Sequence, residues 1–195
     1  MKNLPILAAC LFLFSCGKSY KITNDDLNWN PYKENDRLIF KSNTGVLDTV
    51  FVEKLERSKS KINVYSPFSG TNEQLIVLAR HRIPYNLATG QTQIANDQPI
   101  LALIAEKGGS MINLMLYLQQ SIFPDGVYSI KELEKKPTIT KTIGGKIYND
   151  VIVLKPNKEY PDGASRYTDV LYWSKSKGYL RFDVNETEYW ELISF

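Results

Sequence analysis

Cys10 and Cys16 are the only thiols in this chain and His81 is its only imidazole, so side-chain chemistry has few places to sit. A Ser-His-Asp triad would have to use His81, in the stretch Leu78-Ala79-Arg80-His81-Arg82-Ile83, yet no serine stands in a Gly-x-Ser-x-Gly elbow. The two flanking arginines would depress the basicity of His81, and a strand histidine is the simpler reading. A zinc site needs three or four N, S or O ligands, which one histidine and a folded part without thiols do not supply. Neither an Asp-x-Asp-x-Asp-Gly calcium loop nor a phosphate-cradling glycine motif occurs. The expectation is therefore no catalytic residue, no metal and no cofactor. Carboxylates are the remaining reagents, because two Asp or Glu side chains at a suitable separation can hydrolyse a glycosidic bond. Asp25, Asp26, Glu34 and Asp36 read better as solvated turn residues, which leaves a secreted carboxylate-based hydrolase as an alternative.

Cys16 is the thiol with a context. Met1-Lys2-Asn3 carries one positive charge, and Leu4 to Phe14, "LPILAACLFLF", is apolar throughout. At about 1.5 Å per residue a helix of that length falls well short of a ~30 Å hydrocarbon core. It has no polar face, as a core helix would, and matches the apolar stretch of a secretory signal. The run ends Leu13-Phe14-Ser15-Cys16-Gly17, which resembles the lipobox of bacterial lipoprotein precursors. The resemblance implies that Leu13 and Ser15 are recognition positions, with Phe14 bulkier than the family's usual variable residue. It also implies that Cys16 receives diacylglycerol on sulfur and becomes the mature N-terminus. Cys10 then lies in the discarded segment, so no disulfide forms in the folded part.

This divides the chain into a signal peptide (1–15), a lipidated N-terminus with a polar flexible tether (16–30), and a globular domain (31–195). Gly17 is not the Asp that marks inner-membrane retention in the enterobacterial version of the family, so the resemblance implies the outer membrane of the cell envelope. The membrane, through the N-terminal lipid, is the expected partner. A formal charge of +3, from 24 basic and 21 acidic residues, gives no footprint for nucleic acid.

The elements that must position any site read as strands. Twelve tyrosines, with frequent β-branched residues, suit pleated surfaces. Arg37–Ser42 and Leu47–Leu55 form a hairpin through Asn43-Thr44-Gly45, and Leu75–Ile83 is a further strand. A loop is expected around Pro67 and Gly70. "PILALIAEKGGSMINLMLYLQQ" could be helical, but Gly108-Gly109 would cost a helix about 2 kcal/mol. Beyond them Ile112, Leu114, Leu116 and Leu118 fall on one face at period two, so the stretch is read as a hairpin turning at Lys107–Ser110. Ser129 and Glu132 have capping-box spacing for one short helix closed by Pro137. Ile147–Lys155, Thr168–Ser174, Tyr179–Val184 and Tyr189–Ile193 complete a meander, with a loop at Pro161-Asp162-Gly163. Tyr148–Val153 and Tyr167–Tyr172 share Tyr-x-Asp-Val, where Asp150 and Asp169 read as caps at the start of a strand rather than paired ligands or acids.

The fold expected is all-β and mostly antiparallel: a single sandwich or partly open barrel of about eight to ten strands with one short helix. If Leu180, Phe182 and Val184 point inward, then Tyr179, Arg181 and Asp183 point away. Tyr189 and Glu191, alternating with Trp190 and Leu192, and Trp173 would join them on a mixed aromatic and charged face suited to a saccharide or an envelope protein. The run Tyr172-Trp173-Ser174-Lys175 … Gly178-Tyr179-Leu180-Arg181-Phe182-Asp183, before a terminal Trp190, resembles a C-terminal pattern in lipoproteins of the Bacteroidota without assigned activity. Asn30–Phe51 has the same flavour. The resemblance implies a lipid-anchored, β-rich envelope protein. The expected function is a non-enzymatic binding or structural module, the other alternative being a carrier of a lipid or other apolar ligand.

Overall fold

The computed structural model describes residues 17–63, 65, 69–86, 91–118, 126–156 and 166–195. Leu13, Ser15 and Cys16, and the loop positions Pro67 and Pro161-Asp162-Gly163, lie outside the described residues. The described residues form one antiparallel sheet of eleven strands curled into a half-barrel, with two short helices. The expected mostly antiparallel β fold is thus present, in its partly open barrel form.

The strands are β1 (Arg37–Ser42), β2 (Leu47–Lys61), β3 (Thr71–Asn86), β4 (Gln91–Ile104), β5 (Met111–Leu114), β6 (Val127–Ser129), β7 (Ile139–Ile143), β8 (Lys146–Leu154), β9 (Thr168–Ser174), β10 (Gly178–Val184) and β11 (Glu188–Ser194). Their spatial order is β6-β5-β4-β3-β2-β1-β11-β10-β9-β8-β7. Two meanders therefore meet where β1 pairs with β11, with Phe40 opposite Leu192. The open ends of the sheet, β6 and β7, are consecutive in sequence and are joined through helix α2 (Ile130–Leu133).

Period-two alternation builds the interior. Leu38 and Phe40 on β1, Val50 and Val52 on β2, Val77 and Ala79 on β3, and Trp190 and Leu192 on β11 are all buried. The glycine-containing turn at Lys107–Ser110 separates β4 from β5 as expected, and Ile112, Leu114, Leu116 and Leu118 share a buried face. The curl is strong enough for β10 to touch β4 across the inside. The Tyr179 hydroxyl donates to the Ile100 carbonyl at 2.5 Å and accepts from the Leu116 amide at 3.3 Å.

Two expectations about the first described residues and the helix need correction. The polar segment expected to be a free tether is docked. Tyr20 forms a parallel bridge with Asn72 beside the start of β3, and Ile22, Trp29 and Tyr32 are core residues. Helix α1 (Asn24–Leu27) begins with a complete capping box, the Thr23 hydroxyl accepting from the Asp26 amide while the Asp26 carboxylate accepts from the Thr23 amide. Three widely spaced apolar residues give no periodic signal, yet each fills the concave side of the sheet. At the predicted helix, Ser129 does occupy the N-cap position, but its hydroxyl makes no capping hydrogen bond.

Candidate functional site

Two of the residues expected on an exposed binding face are interior. Trp173 is 0% and Tyr179 1% exposed. Trp173 alternates inward with Leu171 on β9. Tyr179 is turned inward by a register shift in the β9–β10 pairing: Tyr179 lies opposite Trp173, but Arg181 opposite Tyr172. The extra residue, Leu180, breaks the alternation, so Tyr179 and Leu180 are both buried. Tyr179 then stands edge-on to Trp173 at 4.9 Å and stacks on Phe182 at 5.5 Å. Burial keeps its hydroxyl protonated far above the ordinary tyrosine range.

Arg181, Asp183, Tyr189 and Glu191 do come together on the outer face as expected, with Tyr172 and Lys141, which sequence reasoning did not assign to it. Arg181 donates to Asp183 at 2.5 Å and to Glu191 at 2.8 Å, and its guanidinium lies 4.0 Å from the centroid of Tyr189. Tyr172 donates to Asp183 at 3.1 Å and carries Lys141 over its ring at 4.6 Å. Partial burial works against the Arg181 charge, but hydrogen bonds and proximity to Asp183 and Glu191 outweigh it and raise its pKa. Each charge here already has an internal partner. The face is a closed network rather than an open binding surface.

A second outer face is not closed. The β1–β2 turn around Thr44 sets Arg37 opposite Phe51, and the β2–β3 register sets Arg80 opposite the same phenylalanine. The two guanidinium groups lie 5.4 and 5.1 Å from the Phe51 ring centroid, one from each neighbouring strand. Arg82 follows two residues along β3, opposite Ile94 of β4, which is 69% exposed. Leu47, 55% exposed, closes the other side of a depression of about 230 Å³. No carboxylate of a described residue stands within ion-pairing distance of Arg37, Arg80 or Arg82. Buried Asp48 and half-buried Thr49 share the lining with the apolar Leu47 and Ile94. A planar, permanently charged donor on either side of an aromatic ring suits a carboxylate or phosphate carried on an apolar or ring-shaped body. The outward phase of Arg37, Phe51 and Arg80 was readable in the alternation of their strands. Their meeting was not, because it depends on register across three strands.

His81 lines the same depression from the inside and is 3% exposed. Its Nδ1 lies 3.0 Å from the Arg82 carbonyl oxygen, so Nδ1 carries the proton and Nε2 is an acceptor. Nε2 is buried without a partner among the described residues. Burial lowers the His81 pKa, against a smaller opposing pull from the Arg82 carbonyl.

The carboxylates have structural work. The Glu73 side chain accepts from Arg57 Nε at 2.8 Å with one oxygen and from the Ile22 amide at 3.0 Å with the other; the Arg57 contact chiefly holds its carboxyl below the usual range. Asp150 accepts from the Ser174 hydroxyl at 2.7 Å and the Ser176 amide at 3.1 Å. Burial pushes Asp150 up, but these bonds outweigh it and leave it lowered. Asp169 accepts from the Glu186 amide at 2.8 Å. The Tyr-x-Asp-Val echo thus has one meaning, and it is not the expected cap at the start of a strand: each aspartate caps the hairpin turn that follows the next strand. No group of three or more His, Cys, Asp and Glu among the described residues could hold a metal ion, and no helix among them is long and apolar enough to cross a membrane.

The fold and site together define an antiparallel β half-barrel filled by its own aromatic residues and carrying an arginine–phenylalanine face outside. Comparison with family models, curated proteins and solved structures finds no match to the chain.

Proposed function

We propose that the chain is an envelope lipoprotein, anchored through Cys16 to the outer membrane, whose half-barrel is a non-enzymatic binding module for acidic partners. The observation that carries the binding half is the Arg37–Phe51–Arg80 row, extended by Arg82, with no carboxylate of a described residue paired to any of the three arginines. The anchoring half is supported by the apolar run and the Leu13-Phe14-Ser15-Cys16 pattern, followed after three residues by Tyr20, already paired to the sheet. Two or more acyl chains make a stable anchor where one alone is marginal.

Catalysis by a carboxylate pair gains no support, because the pair would need one protonated acid near neutral pH. Glu73 and Asp150 are both displaced the other way. Carriage of an apolar ligand is disfavoured by the concave side, where Tyr32, Trp173 and Tyr179 pack on one another and Trp29 is buried in the same core.

Metabolic labelling with a radioactive fatty acid tests the anchor. Cys16→Ser abolishes the label and leaves an unprocessed precursor; a labelled variant refutes the assignment. Calorimetry with uronic-acid oligosaccharides tests the face. Wild type binds in a salt-sensitive manner, and Arg80→Ala weakens binding about tenfold. Unchanged binding by Arg80→Ala places the ligand elsewhere.

A further inference from the structure

The Tyr20–Asn72 bridge is parallel, and its direction has a consequence for the opposite end of β3 from the arginine face. Tyr20 donates to the Thr71 carbonyl at 2.8 Å and its own carbonyl accepts from Glu73 at 3.0 Å. The chain preceding Tyr20 therefore runs alongside the residues preceding Asn72. Lys18 continues the alignment, its backbone lying so close to Gly70 that a Cβ there would collide with the Lys18 carbonyl. Upstream of Lys18 only Gly17 separates this packed segment from Cys16.

The segment thus points at the tip of the β2–β3 hairpin. Ile62 is 50% exposed and Tyr65 95% exposed there, the latter with its amide bonded to Asn63 Oδ1. Lys59 and Lys61 are exposed on the adjoining end of β2, and Lys18 is exposed beside Gly70. From Arg57 to Asn72 the sequence contains three basic residues and no Asp or Glu. An exposed aromatic and an exposed aliphatic residue within a purely basic stretch is the composition of a membrane interface, where tyrosine sits at headgroup level and lysine meets anionic lipid.

We infer that the β2–β3 tip, Ile62 and Tyr65 with Lys18, Lys59 and Lys61, is a lipid-surface contact that seats the domain on the bilayer holding its anchor. This rests on the anchoring reading, since a lipid on Cys16 brings this tip to the headgroups. The domain then stands on the membrane by its β2–β3 end, with β3 rising from it. The Arg80–Arg82 face lies about 30 Å further along the strand, at ~3.3 Å per residue, turned to the aqueous space.

The acylated protein, reconstituted into vesicles of phosphatidylethanolamine and phosphatidylglycerol, gives the test. Trp29, Trp173 and Trp190 are all buried, so added tryptophans report their own surroundings. With brominated phospholipid in the vesicles, Tyr65→Trp should gain a strongly quenched component and Ile94→Trp, at the far end, should gain none. Reversing Lys59→Glu and Lys61→Glu together in the Tyr65→Trp background should cut that quenching at least twofold. Equal quenching at both positions, quenching at neither, or quenching indifferent to the charge reversal overturns the proposal. Cross-linking through the tip into dimers without quenching also overturns it, in favour of a second copy as occupant. Mass spectrometry of the same sample reads the Cys16 acyl chains separately. A bare thiol with a quenched tip removes the anchor alone, whereas an acylated chain with an unquenched tip removes the contact alone.

Discussion

The hydroxyl of Tyr32 accepts a hydrogen bond at 2.9 Å from the backbone amide of Tyr179, and the two rings stack 6.3 Å apart. One residue belongs to the segment before β1 and the other to β10. The bond ties the docked N-terminal segment to the interior of the second meander, and both partners are buried. Removing the acceptor strands a buried amide. Tyr32→Phe should therefore cost about 1–3 kcal/mol, read as a lowered denaturant midpoint at unchanged slope. A midpoint equal to wild type would mean the amide finds another acceptor.

Gly178 adjoins this contact with φ at +77°, and a Cβ built on it would lie 1.9 Å from the Tyr32 hydroxyl. Gly178→Ala therefore meets a backbone penalty and a collision at once, and should destabilise more than Tyr32→Phe does. In the Tyr32→Phe background the collision with the hydroxyl is gone while that with the ring carbon Cζ, at 2.4 Å, remains, so the two changes should cost somewhat less together than the sum of their separate costs. Additive costs would separate the two residues.

His81 sets a pH dependence. Its pKa is lowered in the folded chain, so the unfolded chain binds the proton more readily. Stability is full above the unfolded value of about 6.5 and is lost as pH falls below it toward the folded pKa. Urea midpoints measured from pH 8 down to 5 should decline below ~6.5 in wild type, and His81→Gln should flatten that part of the curve. As His81 is the only histidine, its imidazole Cε1–H signal reads the folded pKa directly.

Asp150 and Asp169 are turn caps, so their loss should act on stability and not on binding. Asp150→Ala and Asp169→Ala should each cost about 1–2 kcal/mol. Uronate affinity by calorimetry should stay at the wild-type value, while a loss of affinity in either variant would place that aspartate in the binding surface.

Legibility followed local pattern. β1 and β9 occur at the bounds their alternation and turns predicted, since a hairpin with a glycine turn is specified by neighbours in sequence. β2 runs on to Lys61, past the expected end at Leu55, because Glu56–Lys61 is polar on both faces and is held by pairing with β3 alone. The Leu180 irregularity was invisible for a different reason. Nothing in "GYLRFDV" distinguishes a regular strand from one with an extra residue, and that single residue moved Tyr179 from the surface to the core. Trp29 and Tyr32 were likewise hidden, as they are ordered by partners far along the chain. The arginine face was half visible, in phase but not in register.

Nine of the ten strand pairings among the described residues join strands that follow one another in sequence; the pairing of β1 with β11 does not. Spatially the sheet is an up-and-down ribbon with that one seam in its middle. Nine zippers can close between successive strands, and the tenth must wait for β1 and β11 to meet across the intervening strands, which gives it the largest loop-closure cost. Linking β11 directly to β1 and cutting between α2 and β7 would yield a ribbon with no distant seam, and that permuted chain should reach its native state faster than the natural one.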